Sequence, residues 1–322
     1  MRILVTGGAG YIGGFTARRL LARGHTVTVY DNLTAGHRGN IPADNLVVGD
    51  LKDIDHLDHL LVVNRIDAVL HFAASTSVGE SVTHPAKFYQ NNLLNSLNLL
   101  ERVRRHAIPR FVFSSTAAVY GTPETIPLTE DHPLKPVNPY GQTKLAFEAM
   151  LRDYSAAYGT GTTALRYFNA AGASVDAAYG EAHDPETHLI PLVLYAALGK
   201  RPRIDIFGTD YDTPDGTCIR DYVHVEDLAE AHVLALEKQV EGTAVAYNVG
   251  SGTGNSVREV IRTCEAVSGK PIPVNDAPRR AGDPPVLVAG AEKLKRELGW
   301  SPKFPDLRSI VETARSSPVT AS

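Results

Sequence analysis

The stretch from Arg2 to Gly13 constrains the fold more than any other in this chain. The apolar run Ile3 to Val5 reads as a buried strand. Glycines follow at 7, 10 and 13, and Tyr11 to Arg23 has the periodicity of a helix. Strand, glycine turn and helix in that order make the phosphate-binding unit of a dinucleotide fold. Gly7 allows a tight turn, Gly10 lets backbone amides approach a pyrophosphate, and Gly13 lets the helix pack close to the sheet. The helix N-terminus adds free N–H groups and a positive dipole end. A glycine triplet alone is weak evidence, and the next strand supplies the context. Thr26 to Tyr30 is apolar and ends in Asp31. An acid about 20 residues past the glycines can bind the adenosine ribose hydroxyls and would repel a 2′-phosphate. The predicted cofactor is therefore NAD rather than NADP.

Strands and helices then alternate. Further strands are predicted at 46–48, 67–72, 110–114 and 162–167, and helices at 54–64, 85–106 and 140–158. That alternation predicts an α/β chain with a doubly wound parallel Rossmann sheet covered on both faces. Ligands in such folds sit beyond the carboxyl ends of strands. Asp31, Asp50, Phe72, Thr116 and Phe168 stand at such ends. The pattern loosens after Asn169, where Gly, Pro and Asp are frequent. Shorter elements follow: helices at 189–198, 225–237 and 257–268, a strand at 203–207, and a last helical part from Ala291. We expect an NAD-binding domain over 1–170, a smaller α/β substrate-binding domain over 171–316 and a frayed tail over 317–322. The boundary is soft, since 247–249 could return to the main sheet.

A chain of 322 residues suits one large or two ordinary domains. Its formal net charge of −4 indicates no polyanion-binding surface, so no nucleic-acid partner is expected. No apolar run approaches a membrane span. Cys218 and Cys264 lack metal spacing and read as free thiols of a cytoplasmic protein.

Tyr140 and Lys144 are four residues apart, so on a helix they share a face. An ammonium near a phenol stabilises the phenolate and lowers its pKa from about 10 toward working pH. A phenolate is a general base for an alcohol proton. Pro139 suits the first helical turn. Thr116, after the strand 110–114, offers a hydroxyl to the same substrate oxygen. By itself the Tyr–Lys spacing also fits an ordinary exposed helix face, and Thr116 an ordinary strand end. Downstream of a dinucleotide turn, the three make a site for hydride exchange at a secondary alcohol, with no metal.

The glycine spacing is the variant typical of short-chain dehydrogenase/reductase families, and longer motifs narrow the resemblance. They include His71-Phe72-Ala73, Val78-Gly79-Glu80-Ser81, Val119-Tyr120-Gly121, Arg166-Tyr167-Phe168-Asn169, Arg220-Asp221-Tyr222-Val223-His224, Tyr247-Asn248 and Arg279-Arg280-Ala281-Gly282-Asp283. Over essentially its whole length the chain resembles the UDP-glucose 4-epimerases of the extended short-chain dehydrogenase/reductase family. The resemblance implies a redox-neutral epimerisation of UDP-glucose and UDP-galactose. Tyr140 would take the proton of the sugar 4-hydroxyl while tightly bound NAD takes hydride from C4, and the 4-keto sugar would turn over in the site. By motif, NAD should meet Tyr11, Ile12, Asp31, Asn32, Asp50, Leu51, Phe72, Ala73, Asn92, Lys144 and Phe168. The UDP-sugar should meet Asn169, His188, Leu189, Asp205, Phe207, Arg220, Arg280 and Asp283. Arg220 and Arg280 are suited to clamp the diphosphate by bidentate bonds.

Three positions depart from the pattern. Thr116 stands where many relatives have Ser, and keeps the hydroxyl. Thr76 stands where many have Lys, which removes a cation near the nicotinamide. Leu287 stands at the position that gates N-acetylated sugars, intermediate between the Tyr that excludes them and the small residue that admits them. Related dehydratases carry Asp-Glu directly after the catalytic Thr, and decarboxylases often carry Ser-Glu there. This chain has Ala117-Ala118. A 4-epimerase of an N-acetylhexosamine, uronate or pentose stays open, as does a dehydratase. A protein that only senses NAD(H) could dispense with Tyr140 and Lys144. The resemblance also implies a homodimer, with the helices at 85–106 and 140–158 paired across a two-fold axis.

Overall fold

The computed structural model describes residues 1–280 and 283–317. The strands of the first half are β1 (Arg2–Thr6), β2 (Thr26–Asp31), β3 (Leu46–Val48), β4 (Ala68–His71), β5 (Arg110–Ser114) and β6 (Gly161–Tyr167). Later come β7 (Asn169–Ala171), β8 (Ile204–Phe207), β9 (Ile219–His224), β10 (Ala244–Val249), β11 (Gly254–Ser256), β12 (Val274–Ala277) and β13 (Val286–Leu287). The helices are α1 (Tyr11–Ala22), α2 (Ile54–Val63), α3 (Val78–Thr83), α4 (Pro85–Phe88), α5 (Asn95–Arg105), α6 (Pro139–Tyr158), α7 (Leu189–Ala197), α8 (Val225–Glu237), α9 (Val257–Ser268), α10 (Glu292–Leu298) and α11 (Leu307–Ser316).

Seven parallel strands form the main sheet in the order β10-β6-β5-β4-β1-β2-β3. The strand order reverses between β1 and β4, which opens a crevice at their carboxyl ends. The period-two alternation of strands decides the two faces. Ile3, Val5, Val29, Leu70 and Val112 point to one face, under α1 and α8. Leu4, Tyr30, Val69, Phe111 and Phe113 point to the other, under α2, α5 and α6. Each such side chain, fully buried, contributes roughly 1.5–3 kcal/mol. Residues 247–249, the segment that could return to the main sheet, do so within β10 beside β6.

The later residues build smaller units. Strand β9 pairs with β7, β11 and β13, while β8 pairs with β12. A separate core lies among α7, α9 and α11, with Ile190, Leu194, Ile261 and Ile310 inside it. Strand β8 answers the strand expected at 203–207, whereas β7, β9, β11, β12 and β13 were not legible as periodic runs. Their hydrogen-bonding partners lie far away in sequence.

Two expectations change in detail. The single helix expected at 85–106 is α4, a wider π-turn over Tyr89–Leu94, then α5. The wide turn carries Asn92 inward, where its Oδ1 accepts from Ser75 N at 2.7 Å and its Nδ2 donates to Ser75 O at 2.9 Å. Such turns gather at functional sites. Ser317, placed in the frayed tail, is buried after α11. The other tail residues, 318–322, lie outside the described residues, as do Ala281 and Gly282 of the arginine motif. Among the described residues, no helix is long and apolar enough to cross a membrane.

Candidate active site

The turn after β1 is shaped for close approach. Gly7 has φ +71°, and a Cβ there would lie 2.4 Å from the backbone N of Ala73. Only glycine takes that conformation freely. Gly10 precedes α1 and offers no side chain to its first-turn N–H groups. Asp31 ends β2, and its carboxylate is fixed by Ala9 N–H at 3.0 Å and Leu33 N–H at 2.8 Å. Asn32 Nδ2 donates to Asp50 Oδ2 at 3.0 Å, and Leu51 is buried beside them. Phe72 and Ala73 leave β4 with both N–H groups bonded to Thr6 O. A bare helix N-terminus, a glycine cradle and a fixed acid at the next strand end are the donor set that a dinucleotide requires. The residues present fit NAD.

Helix α6 starts where local chemistry dictates. Asn138 Oδ1 accepts from Gly141 N at 2.8 Å, Pro139 occupies the first turn, and Gly159 closes the helix with φ +78°. Gly141 lets the helix dock on the turn that carries Thr116, for a Cβ there would lie 2.6 Å from Ala118 O. Tyr140, Thr116 and Lys144 are all buried. Lys144 Nζ donates to Ser114 O at 2.8 Å and sits 4.7 Å from the Phe113 ring centroid. Its distance to the Tyr140 ring centroid is 6.0 Å.

The electrostatics correct one expectation. Burial drives the Tyr140 phenol up, with a smaller rise from Tyr167, and a hydrogen bond with Thr116 only partly offsets this. Burial also pushes Lys144 down to about 7, against the pull of Glu148. The lysine therefore does not lower the phenol in the protein alone, because desolvation penalises both charged forms. His71 belongs to the same cluster. Its ring bridges Thr6 Oγ1 at 2.7 Å and Ser96 Oγ at 2.8 Å, and burial, followed by the Lys144 charge, pushes it down to about 3. Through His71 the Lys144 cluster joins the residue that precedes Gly7.

A buried network behind Tyr140 was missed. Glu148 pairs with Arg166 at 2.6 Å and accepts from Ser115 Oγ at 2.5 Å. Arg166 Nη1 donates to Tyr120 OH at 3.0 Å, whose hydroxyl donates to Asn248 Oδ1 at 2.6 Å. This chain of bonds locks α6 to β6 and β10. The signal was present: Tyr140, Lys144 and Glu148 recur at four-residue spacing on one helix face.

The residues assigned to the sugar nucleotide fall into several groups. Asn169, on β7, donates its Nδ2 to Asp221 O at 2.9 Å. Arg220, on β9, is turned onto the Asp283 carboxylate in an ion pair. Both partners were expected to meet the UDP-sugar. Leu287, on β13, stands beside Arg220 in register and packs on the cluster of Tyr120, Leu128 and Phe168. The Arg280 guanidinium lies 4.0 Å from the Phe207 ring centroid, and Phe207 is exposed. Asp205 accepts from Asn275 Nδ2 at 2.8 Å. Leu189 opens α7, preceded by His188, whose ring meets Glu181 and Glu186. Thr76 is exposed between β4 and α3.

The segment before α7 carries a second charged cluster that was missed except for His188. The carboxylates of Glu181 and then Glu186 push His183 up to about 9. Burial works against a charged His188 ring, yet the same two carboxylates push it up to about 10. The spacing of Glu181, His183, Glu186 and His188 within eight residues was the available signal.

Residues 3–250 match the family described as NAD dependent epimerase/dehydratase. The chain is similar to the UDP-glucose 4-epimerase of Halalkalibacterium halodurans, with 51% identity over 315 residues covering 98% of this chain and 94% of the relative. It is also similar to the solved UDP-glucose 4-epimerase of Brucella ovis in complex with NAD, with 46% identity, a TM-score of 0.93 and 97% of each chain covered. A third similar structure is the UDP-Glc/GlcNAc 4-epimerase of Campylobacter jejuni, with 44% identity, a TM-score of 0.85 and 97% of each chain covered.

Proposed function

The chain belongs to the NAD dependent epimerase/dehydratase family, and on that premise we propose that it epimerises C4 of UDP-glucose and UDP-galactose. It is an NAD-dependent enzyme. Gly7, Gly10, Tyr11, Ile12 and Asp31 hold the pyrophosphate and adenosine end, and Asn32, Asp50 and Leu51 line the same end. Phe72, Ala73, Asn92, Lys144 and Phe168 face the other end. When bound, NAD supplies a reversible hydride acceptor and one positive charge.

The chain's own residues handle the proton. Tyr140 accepts it from the sugar 4-hydroxyl at the phenol oxygen and later returns it, while the Thr116 hydroxyl holds the same sugar oxygen. Lys144, braced on Ser114 O at 2.8 Å, supplies positive charge for the phenolate. Positive charge brought by the bound cofactor would favour the ionised phenol and so oppose the rise that burial gives Tyr140. The single observation that carries the reading is the burial of Thr116, Tyr140 and Lys144 together, joined through His71 to the glycine turn.

Elimination would need an acid or base after Thr116, and Ala117 and Ala118 provide none. On the sugar side, Arg220, Arg280, Asp283, Asn169, His188, Leu189, Asp205 and Phe207 hold the UDP moiety, with Leu287 beside the hexose. Arg220 exchanges its ion pair with Asp283 for the diphosphate. A homodimer is supported by Tyr89, Leu94 and Tyr158, apolar and exposed near α5 and α6. A cytoplasmic place is supported by two buried free cysteines.

The test is a panel of UDP-galactose, UDP-N-acetylgalactosamine and UDP-galacturonate, with products resolved by chromatography. Conversion of UDP-galactose to UDP-glucose as the fastest reaction is expected. Turnover of UDP-galacturonate alone would overturn the assignment.

A further inference from the structure

The segment that leads into α7 gathers four metal-binding side chains. Glu181, His183, Glu186 and His188 each present one ligand atom, and these atoms all lie within 4.8 Å of one another. Both histidines turn Nδ1 toward the carboxylates. His188 Nδ1 lies 2.6 Å from Glu181 Oε1 and 3.1 Å from Glu186 Oε1. His183 Nδ1 lies 3.1 Å from Glu181 Oε1 and 3.8 Å from Glu186 Oε2. A tetrahedral zinc ion with bonds of about 2.0–2.2 Å has donor atoms about 3.3–3.6 Å apart. The separations to Glu181 Oε1 are shorter than that edge and those to the two Glu186 oxygens fall on either side of it, so the four groups stand near a tetrahedral shell.

An independent observation points the same way. Glu186 Oε2 is buried and has no hydrogen-bond partner. The Glu186 side chain is only 4% exposed and that of Glu181 only 5%. Within the knot of ion pairs that oxygen has only His183 Nδ1 at 3.8 Å, beyond hydrogen-bond reach, which leaves it desolvated at a cost. A metal ion at the centre would use it. The imidazoles are 32% and 49% exposed, so an ion can enter from solvent past them. The edge of the Tyr11 ring braces His183, with centroids 6.2 Å apart. His37 Nε2 meets Ala182 O at 2.7 Å and ties the segment to the loop after β2.

We propose that Glu181, His183, Glu186 and His188 bind one divalent transition-metal ion, and that two imidazoles with two carboxylates select zinc. Four nitrogen and oxygen donors on one short segment suit a closed tetrahedral site. Calcium and magnesium prefer all-oxygen shells. The ion clips the 181–188 segment against Tyr11, apart from the proton chemistry at Tyr140; it engages His188 through Nδ1, so the UDP contact proposed for that residue falls to Nε2 or the backbone. The proposal does not depend on which sugar the enzyme uses.

The test uses the full chain, stripped with a chelator and then equilibrated with zinc or cobalt. Elemental analysis after gel filtration should give one zinc per chain, and the cobalt form should show the strong visible bands of four-coordinate Co2+. Glu186→Gln and His183→Ala should each lose the stoichiometric metal and the bands, while far-ultraviolet circular dichroism shows the fold retained. If either variant fails to fold, the wild-type cobalt spectrum decides alone. A wild-type chain that retains no zinc, cobalt spectra typical of six-coordinate ions, or metal retained in both variants would overturn the proposal.

Discussion

The residues proposed for the cofactor side come mostly from the carboxyl ends of strands of one sheet, with Asn92 and Lys144 added from helical turns. The residues proposed for the sugar side, Asn169, His188, Arg220, Asp283 and Leu287, come from one small sheet, the loop before β13 and the start of a helix. The first side is preset by covalent geometry: Gly7 takes a left-handed turn, and Asp31 is pinned by two backbone N–H groups. The second side satisfies its charges internally, with Arg220 on Asp283 and Arg280 over Phe207. On the proposed function, part of the site is built before any ligand arrives, and part would exchange partners when one does. Substitutions on the preset side should abolish chemistry or folding, and those on the exchanging side should retune selectivity.

The largest effect is expected at Tyr140. Tyr140→Phe removes the proton acceptor and should lower kcat by about 10²–10⁴-fold, with UDP-sugar binding intact by calorimetry. Near wild-type turnover would remove Tyr140 as the base.

Next comes the buried pair behind it. Arg166→Met strands the Glu148 carboxylate, whose side chain is 2% exposed. Losing one partner of such a pair costs about 3–5 kcal/mol. Urea unfolding at neutral pH should show that loss. A variant as stable as the parent would mean that the network does not brace α6.

The sugar side should respond least. Leu287→Gly should raise the kcat/KM of N-acetylated UDP-sugars relative to the plain pair, by an amount equivalent to about 1–3 kcal/mol. Equal loss of all four activities would make Leu287 ordinary packing against Tyr120 and Phe168. A collapse as deep as that of Tyr140→Phe would break the contrast between the two sides.

The same contrast explains what could be read from the residues alone. The parallel sheet was legible because β1, β4 and β5 hold continuous apolar runs and β2 alternates β-branched Thr and Val, and Tyr140 with Lys144 was legible from one helical turn. Strands β7, β11 and β13 are two or three residues long and carry no period. Their places follow from long-range pairing with β9. Arg220 and Asp283 were reachable only through a resemblance, which does not tell that they pair with each other. The pKa directions were illegible for another reason. Burial outweighs the Thr116 hydrogen bond at Tyr140, and burial is a property of the whole fold.

The central claim is a redox-neutral cycle in which NAD never leaves. It is tested by supplying UDP-galactose to the freshly purified protein with no added cofactor, then extracting the denatured protein for nicotinamide. Conversion to UDP-glucose with close to one NAD or NADH recovered per chain is the predicted result. A protein that yields no nicotinamide and turns over only when NADP is added would contradict it.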